Sequence, residues 1–432
     1  MLIFVVSNNY FKNQIMKKTF LPTILSVLLF SACQGQSTNQ KNNLVQDDFN
    51  FAQEQITYAF TEIDQTLANE SAESRERRET RNQGPLVSPR SIADDGSLHM
   101  VPSRDWTSGF FPGSLWYMYE YFGTAEWKTV AEKFTAPIEY EKTNAGTHDM
   151  GFKVYCSFGN GYRLTQNAHY KDVMLESART LITRYNPAIG VIRSWDHNRD
   201  KWMFPVIIDN MMNLELLFWA SKESGDKTFY DIAVKHAQTT MKNHFREDYS
   251  TYHVIDYHPE TGEVLNRHTH QGYAHETTWS RGEAWAIYGY TMTYRETKME
   301  EFLTQAENVA HFIFAHPNLP EDLVPYWDYN APGIPNEPRD ASAAAITASA
   351  LYEMSTYNTP KSTQYKAWAD KIVESLSSDA YRAKVGENRG FLLMHSSGSG
   401  TFEVDKPLVY ADYYFLEALL RKKKLEENKP LF

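Results

Sequence analysis

Apolar residues spaced three and four apart recur along this chain in stretches of ordinary helix length, and that periodicity narrows its possible folds more than any other signal. It predicts helices over residues 47–70, 109–122, 125–140, 163–184, 205–222, 226–245, 280–297, 299–316, 340–357, 361–378 and 408–425. Several have visible stops, among them Gly225, Pro317 and the run Asn358–Pro360. Strand-type alternation is confined to short pieces near Gly190–Trp195 and Tyr252–Asp256. The fold class expected is all-α, with helices joined by short and long connections in alternation. Short connections such as Glu223–Asp226 merely turn the chain. Long ones, Glu247–Trp279 and His316–Arg339, are rich in His, Tyr, Trp, Pro and charge, and a helical scaffold carries its binding residues in such loops. Length alone leaves open whether 432 residues form one large domain or two or three.

With 54 acidic and 43 basic residues the chain carries a net charge of -11, which argues against nucleic acid or an anionic membrane surface as a bulk electrostatic partner. A local basic pocket for an anionic ligand is compatible with that balance. Aromatic residues make up 14% of the chain, many in short clusters beside Gly and charged residues. Such clusters suit a cleft that stacks sugars, and a large helical core accounts for them equally well.

Met16–Ser37, MKKTFLPTILSVLLFSACQGQS, has the form of an export signal: Lys17 and Lys18, an apolar run from Phe20 to Phe30, then Ser31 and Ala32 before Cys33. The run is too short, and too closely followed by polar residues, for an ordinary membrane span. Its Phe-Ser-Ala-Cys ending resembles a bacterial lipoprotein signal, in which Cys33 becomes the lipidated first residue. Phe30 stands where Leu is commoner, so cleavage without lipidation is the alternative. The expected division is an export signal over 1–33, a flexible tether over 34–46 and a folded body over 47–428, placed in the periplasm or at the cell surface and touching membrane only through a lipid anchor. Removing residues 1–32 takes away Lys12, Lys17 and Lys18 and no acid, leaving -14. The other cysteine, Cys156, then has no partner, so a disulfide framework is not expected and a thiolate metal site is excluded.

Three stretches hold residues able to do chemistry. Phe204–Ser221, FPVIIDNMMNLELLFWAS, has twelve apolar residues among eighteen and yet carries Asp209. A carboxylate in such company is paired, neutralised by a raised pKa, or facing a wet cleft. A helix over 206–221 puts Asp209 and Asn213 on one face, with helix capping or pairing to an Arg as the structural alternatives. In Thr147–Phe152, THDMGF, Asp149 stands between His148 and the start of another helical piece, where N-capping is again the alternative. Two such acids are what proton transfer on a sugar requires, one held protonated and one ionised. The third stretch, His268–Tyr290, offers His268, His270, His275 and Glu276 at spacings that match no standard zinc pattern, so no metal is expected. Arg281 and Trp285 lie four apart on one helical face, able to hold an anionic sugar by ion pairing and stacking, or to be a surface Arg and a core Trp.

In chain order, WTSGFFPGSLW, THDMGF, PVIIDNMMNLELLFWAS, HQGYAHETTWSRGEAWAIYGY, PRDASAAAITASALYEM and PLVYADYYFLEALLR resemble the unsaturated glucuronyl hydrolases, family 88 of the glycoside hydrolases, from about residue 50 to 425. The resemblance implies a single-domain α/α toroid of six helical hairpins, working without metal or organic cofactor. Enzymes of this family remove the Δ4,5-unsaturated uronic acid that polysaccharide lyases leave at the non-reducing end of acidic oligosaccharides, so the implied partners are such oligosaccharides and an upstream lyase. The implied reaction is hydration of the enol ether. Asp209 protonates C4, charge develops toward C5 and the ring oxygen, water adds at C5 with Asp209 as base, and the hemiketal opens to release the next sugar. By position in the motifs, Asp149 corresponds to a second essential acid, and His148 and His253 to active-site histidines. Gln271, Arg281 and Trp285 correspond to substrate-site residues, and Trp106 to the aromatic ring stacked on the unsaturated sugar. Chemistry assigns Arg281 to the uronate carboxylate.

Leu392–Leu408, LLMHSSGSGTFEVDKPL, falls where relatives active on sulfated glycosaminoglycans contact a sulfate through Ser and Lys. Ser396, Ser397, Ser399 and Lys406 are available for such contacts here, without reproducing the spacing, and a plain Gly/Ser-rich loop is the alternative. The parent polysaccharide expected is a glycosaminoglycan or a sulfated algal glucuronan-rhamnan such as ulvan. An unsaturated rhamnogalacturonyl hydrolase acting on pectin fragments shares the toroid and the chemistry, and a lipoprotein that only binds carbohydrate is the non-enzymatic alternative. THDMGF and the C-terminal block favour the first family, and retention of two acids argues against mere binding.

Overall fold

The computed structural model describes residues 44–81 and 83–432; the expected export signal, Cys33 and most of the tether lie outside the described residues. Six helices form a closed ring in chain order: Phe110–Phe122, the π-helical Gly151–Gly159, Asn210–Ser224, Ser280–Thr297, Ala341–Met354 and Val409–Glu426, the last packing back on the first. Outer helices back them: Ala125–Thr135, Ala168–Ile182, Lys227–Asn243, Glu300–Ala315 and Ser362–Leu376 each pack chiefly on the inner helix that precedes them in the chain, and Leu44–Ala68 packs on Val409–Glu426. This is the expected six-hairpin toroid in one domain.

The two layers differ because they meet different surroundings. Outer helices bury one stripe: Lys227–Asn243 hides Phe229, Ala233, His236, Ala237 and Thr240 at spacings of three and four, and starts where the Asp226 carboxylate accepts the Thr228 N–H. Inner helices are apolar nearly all round. Every residue of Ala341–Met354 is buried, and its many Ala and Ser let the ring close tightly around it. Helix Asn210–Ser224 is clasped from both sides at glycines: a Cβ on Gly151 would lie 2.7 Å from Asn213 Cα, and one on Gly289 would lie 2.5 Å from Met211 Cβ.

Several expected boundaries change. The helix expected over 205–222 starts only at Asn210, because Pro205–Ile207 pairs as a strand with Val254–Tyr257, which pairs in turn with Val264–His268. The stretch 163–184 is broken where Gln166 turns left-handed (φ 56) and Asn167 caps a new helix. The first helix begins at Leu44, inside the expected tether. Two elements lacked any apolar signal or had a misleading one. Ala72–Thr80, AESRERRET, has no buried residue, and the hairpin Leu86–Ile92 with Leu98–Pro102 is buried without simple alternation. Among the described residues no helix is long and apolar enough to cross a membrane.

Candidate active site

The start of each inner helix faces one end of the ring. Trp106, Asp149, Asp209, Arg281 and Tyr410, at the entrances to five of them, line a single cleft of roughly 520 Å³, and Asp340, at the entrance to the sixth, pairs with Arg281. Six helix N-termini therefore turn their partial positive ends toward this space, which favours an anionic ligand.

Asp209 precedes Asn210–Ser224 but its carboxylate makes no cap hydrogen bond; only 7% of the residue is exposed. The strand pair sets its neighbour. Ile207 lies opposite Val254, the Ile208 N–H donates to the His253 carbonyl, and the His253 ring arrives with Nε2 3.6 Å from Asp209 Oδ2. His253 Nδ1 accepts the backbone N–H groups of His270 and Gln271, at 3.2 Å each, so the ring proton belongs on Nε2 and points at Asp209. Burial holds His253 well below the usual histidine range, so it is a neutral N–H donor. Burial likewise pushes the Asp209 carboxyl up to about 7; Arg281 works against this shift and the Asp149 charge adds to it.

Asp149 is fastened beside it by Thr147, whose hydroxyl donates to Oδ2 at 2.6 Å, and by His148 Nε2, 3.2 Å from Oδ1. Asn213, expected to share a polar stripe with Asp209, instead accepts the Phe152 N–H through its side-chain oxygen. That bond and the Gly151 contact lock the helix entrances that carry the two acids against each other.

The other expected residues divide. Trp106 and His148 line the cleft, Trp106 half-buried against Phe152 and Tyr410. Gln271 lines it while its amide donates to the Gly398 carbonyl. Arg281 lines it too, but it does not stand free for a carboxylate: Nη1 donates to Asp340 (2.9 Å) and the Ser397 carbonyl (2.6 Å), and Nη2 to the Gly398 carbonyl (2.8 Å). Trp285 is a correction. It is fully buried one turn deeper, packed on Phe152 and Tyr414, with its indole beneath the Asp209 carboxyl and outside the cleft lining. Ser396 and Ser397 are corrections as well. Both are buried and away from the cleft, because Ser396 pairs with Lys406 through the backbone and the Ser397 hydroxyl donates to the Arg339 carbonyl. Lys406 is turned to Ala93 and Asp94, and the loop offers Gly398, Ser399 and Thr401 to the cleft instead.

Sequence reasoning missed Arg90. From the hairpin strand it reaches the cleft, grips Glu403 with two donors (2.7 and 3.0 Å) and Asp105 with a third (2.7 Å), and so pins the Ser-rich loop. A lone Arg in a short strand gives no local cue. Trp195 was missed too; with His197 stacked on it at 5.0 Å, it forms a wall of the cleft. Its cue was an aromatic in a Gly- and charge-flanked loop. Among the described residues no three His, Cys, Asp or Glu side chains gather as a metal site; His268 and His275 simply stack, 4.2 Å apart.

No protein-family model matches the chain. It is 55% identical over 331 residues to an unsaturated glucuronyl hydrolase of Formosa agariphila, covering 76% of this chain and 82% of that one. It is 32% identical over 349 residues to an unsaturated chondroitin disaccharide hydrolase of Streptococcus pyogenes, covering 77% and 85%. The crystal structure of an unsaturated glucuronyl hydrolase specific for heparin matches with a TM-score of 0.82 at 44% identity, over 89% of this chain and 98% of that one. A toroid with a two-acid aromatic cleft and these relatives is a glycosidase. Within that class the chain belongs to the unsaturated glucuronyl hydrolases.

Proposed function

We propose that this protein removes Δ4,5-unsaturated glucuronic acid from the non-reducing end of lyase-generated oligosaccharides by hydrating the enol ether, with Asp209 as acid and then base. The observation that carries the assignment is a carboxyl at the cleft wall, beside a second acid, whose burial pushes it up to about 7, so that a proton is available near neutral pH. Oδ2 faces the His253 N–H, which leaves Oδ1 to carry the transferable proton. The π pair of the double bond takes that proton at C4, and C5 becomes cationic, sharing its charge with the ring oxygen. Water then bonds to C5 while its proton passes to the Asp209 carboxylate. The hemiketal opens, the glycosidic carbon becomes a hemiacetal, and the next sugar leaves.

Asp149 supplies a fixed negative charge that discourages ionisation of Asp209 and favours the cation at C5. Trp106 offers the ring face for the unsaturated sugar, and the uronate carboxylate is drawn by the convergent helix N-termini, while Arg281 holds the Ser397–Gly398 edge of the cleft in place. Relatives named for heparin and for chondroitin disaccharides support glycosaminoglycan fragments as substrates. The sequence before Cys33 supports export and lipid anchoring at that residue, and with them a site of action in the periplasm or at the cell surface, downstream of a lyase.

The test uses protein lacking residues 1–33, mixed with lyase products of chondroitin, heparin, ulvan and pectin, following loss of ultraviolet absorbance from the conjugated double bond. Loss on a glucuronate substrate, abolished in Asp209→Asn, is expected. A folded protein inactive on all four sinks the catalytic assignment; activity confined to pectin fragments reassigns it to unsaturated galacturonate.

A further inference from the structure

A second hollow, of roughly 640 Å³, opens beside the cleft, between Arg104 and the segment Glu139–Gly146. The two spaces meet at Gly146, which lines both. The same two loops wall them: Arg104 stands two residues before Trp106 of the cleft, and Gly146 three before Asp149. Their junction is tied down. Arg184 Nη1 donates to the Ala145 carbonyl (2.5 Å) and to Asp196 (2.8 Å), and the His148 N–H donates to the Ser194 carbonyl, so the edge of the groove is fastened to the Trp195–His197 wall.

Tyr140 lines this groove with 75% of its surface in water, the highest exposure of any large hydrophobic side chain among the described residues. An amphipathic ring held open beside a polar groove presents a face on which the C–H face of a pyranose can stack. The acids of the groove are already paired, in part with groove residues of their own. Glu139 pairs with Lys142 and His169, while Glu141 takes the buried Lys153 together with the Ser103 hydroxyl and the Asn144 amide. Arg104 adds a guanidinium to the lining.

We propose that this groove is a binding subsite for the third sugar of an unsaturated oligosaccharide. The unsaturated residue occupies the cleft, the departing sugar spans Gly146 beside the Trp195 wall, and the third, a uronic acid where uronic acids alternate with another sugar, stacks on Tyr140 with its carboxylate toward Arg104. The proposal rests on the hydrolase reading only in that such a chain enters the cleft by its unsaturated end.

Binding is measured by titration calorimetry in the full chain carrying Asp209→Asn, with an unsaturated disaccharide and the tetrasaccharide of the same lyase digest. The tetrasaccharide is expected to bind more tightly, and Tyr140→Ala to lower its affinity about fivefold, the size of one exposed aromatic contact, while leaving disaccharide affinity within about twofold. Arg104→Ala is expected to do the same and to flatten the salt dependence of tetrasaccharide binding. Equal binding of the two oligosaccharides, or substitutions that weaken both alike, overturns the subsite. Oligosaccharides that show this pattern and yet are not turned over by the unsubstituted enzyme sink the hydrolase reading and leave the subsite standing.

Discussion

Asp209 combines three conditions in one side chain: burial, a neutral imidazole facing one oxygen at 3.6 Å and a cleft wall on which to act. Its folded pKa of about 7 lies above the ordinary carboxylic value, so the folded state holds this proton more tightly than the unfolded chain. The stability it contributes is complete below about pH 4 and is lost as pH rises to about 7. Asp209→Asn removes that loss. The variant is expected to be about 4 kcal/mol more stable than the parent at pH 8 and close to it at pH 4, by urea unfolding, with kcat reduced at least about a thousandfold. His253→Leu deletes the N–H aimed at Oδ2, which disfavours the carboxylate. The alkaline limb of the kcat/KM profile is expected to move to higher pH with kcat down roughly tenfold to a hundredfold. Loss of stability alone, about 1–3 kcal/mol from the stranded N–H groups of His270 and Gln271, with the limb unmoved, would mean that His253 is merely structural.

At the scale of elements, the site depends on how closely neighbouring inner helices approach. Gly289→Ala puts a Cβ 2.5 Å from that of Met211, two residues past Asp209, and is expected to cost about 1–3 kcal/mol and to lower kcat with it, read by thermal unfolding and steady-state assay. The hairpin acts through Arg90, which bridges Asp105 and Glu403. Arg90→Ala leaves both carboxylates without their cation and frees the Ser-rich loop, so a loss of about 3 kcal/mol and a raised KM are expected, with kcat less affected. Neither contact was legible beforehand. The heptad-like spacing of Asn210–Ser224 announced a buried helix, yet the start of that helix was set by a strand partner nearly fifty residues away, at Val254.

Across the whole molecule, buried titratable groups of opposite tendency shape the response to pH. Burial raises Asp209 and Asp412 to about 7 and Glu283 to about 8, so each loses stability as pH rises toward those values. Burial lowers His236 to about 3 and His244 to about 4, so each loses stability as pH falls from the ordinary histidine value toward those values. Above about pH 6.5 the histidines are neutral folded or unfolded and only the acids still change. On these five groups three acids lose stability between about pH 5 and 8 against two histidines that regain it only up to about pH 6.5, so calorimetric Tm is expected to decline from pH 5 to pH 8; a Tm still rising between pH 7 and 8 would contradict these assignments.

The amino-acid sequence determined the all-α class, the succession of paired helices and the two acids, because helical periodicity and a charge stranded among apolar residues are local properties of a few turns. Which side chains reach the cleft was decided only by tertiary structure. Arg281 and Trp285 share one helical face, and both were expected to touch the sugar. In a ring of parallel inner helices, however, the cleft lies at the helix entrances, so position along the axis matters more than face. Arg281 stands in the first turn and meets it; Trp285, four residues and about 6 Å further on, is sealed beneath the floor. Ser396 and Ser397 were likewise turned inward, Ser396 by folding of its own loop onto Lys406 and Ser397 by Arg339, nearly sixty residues earlier in the chain.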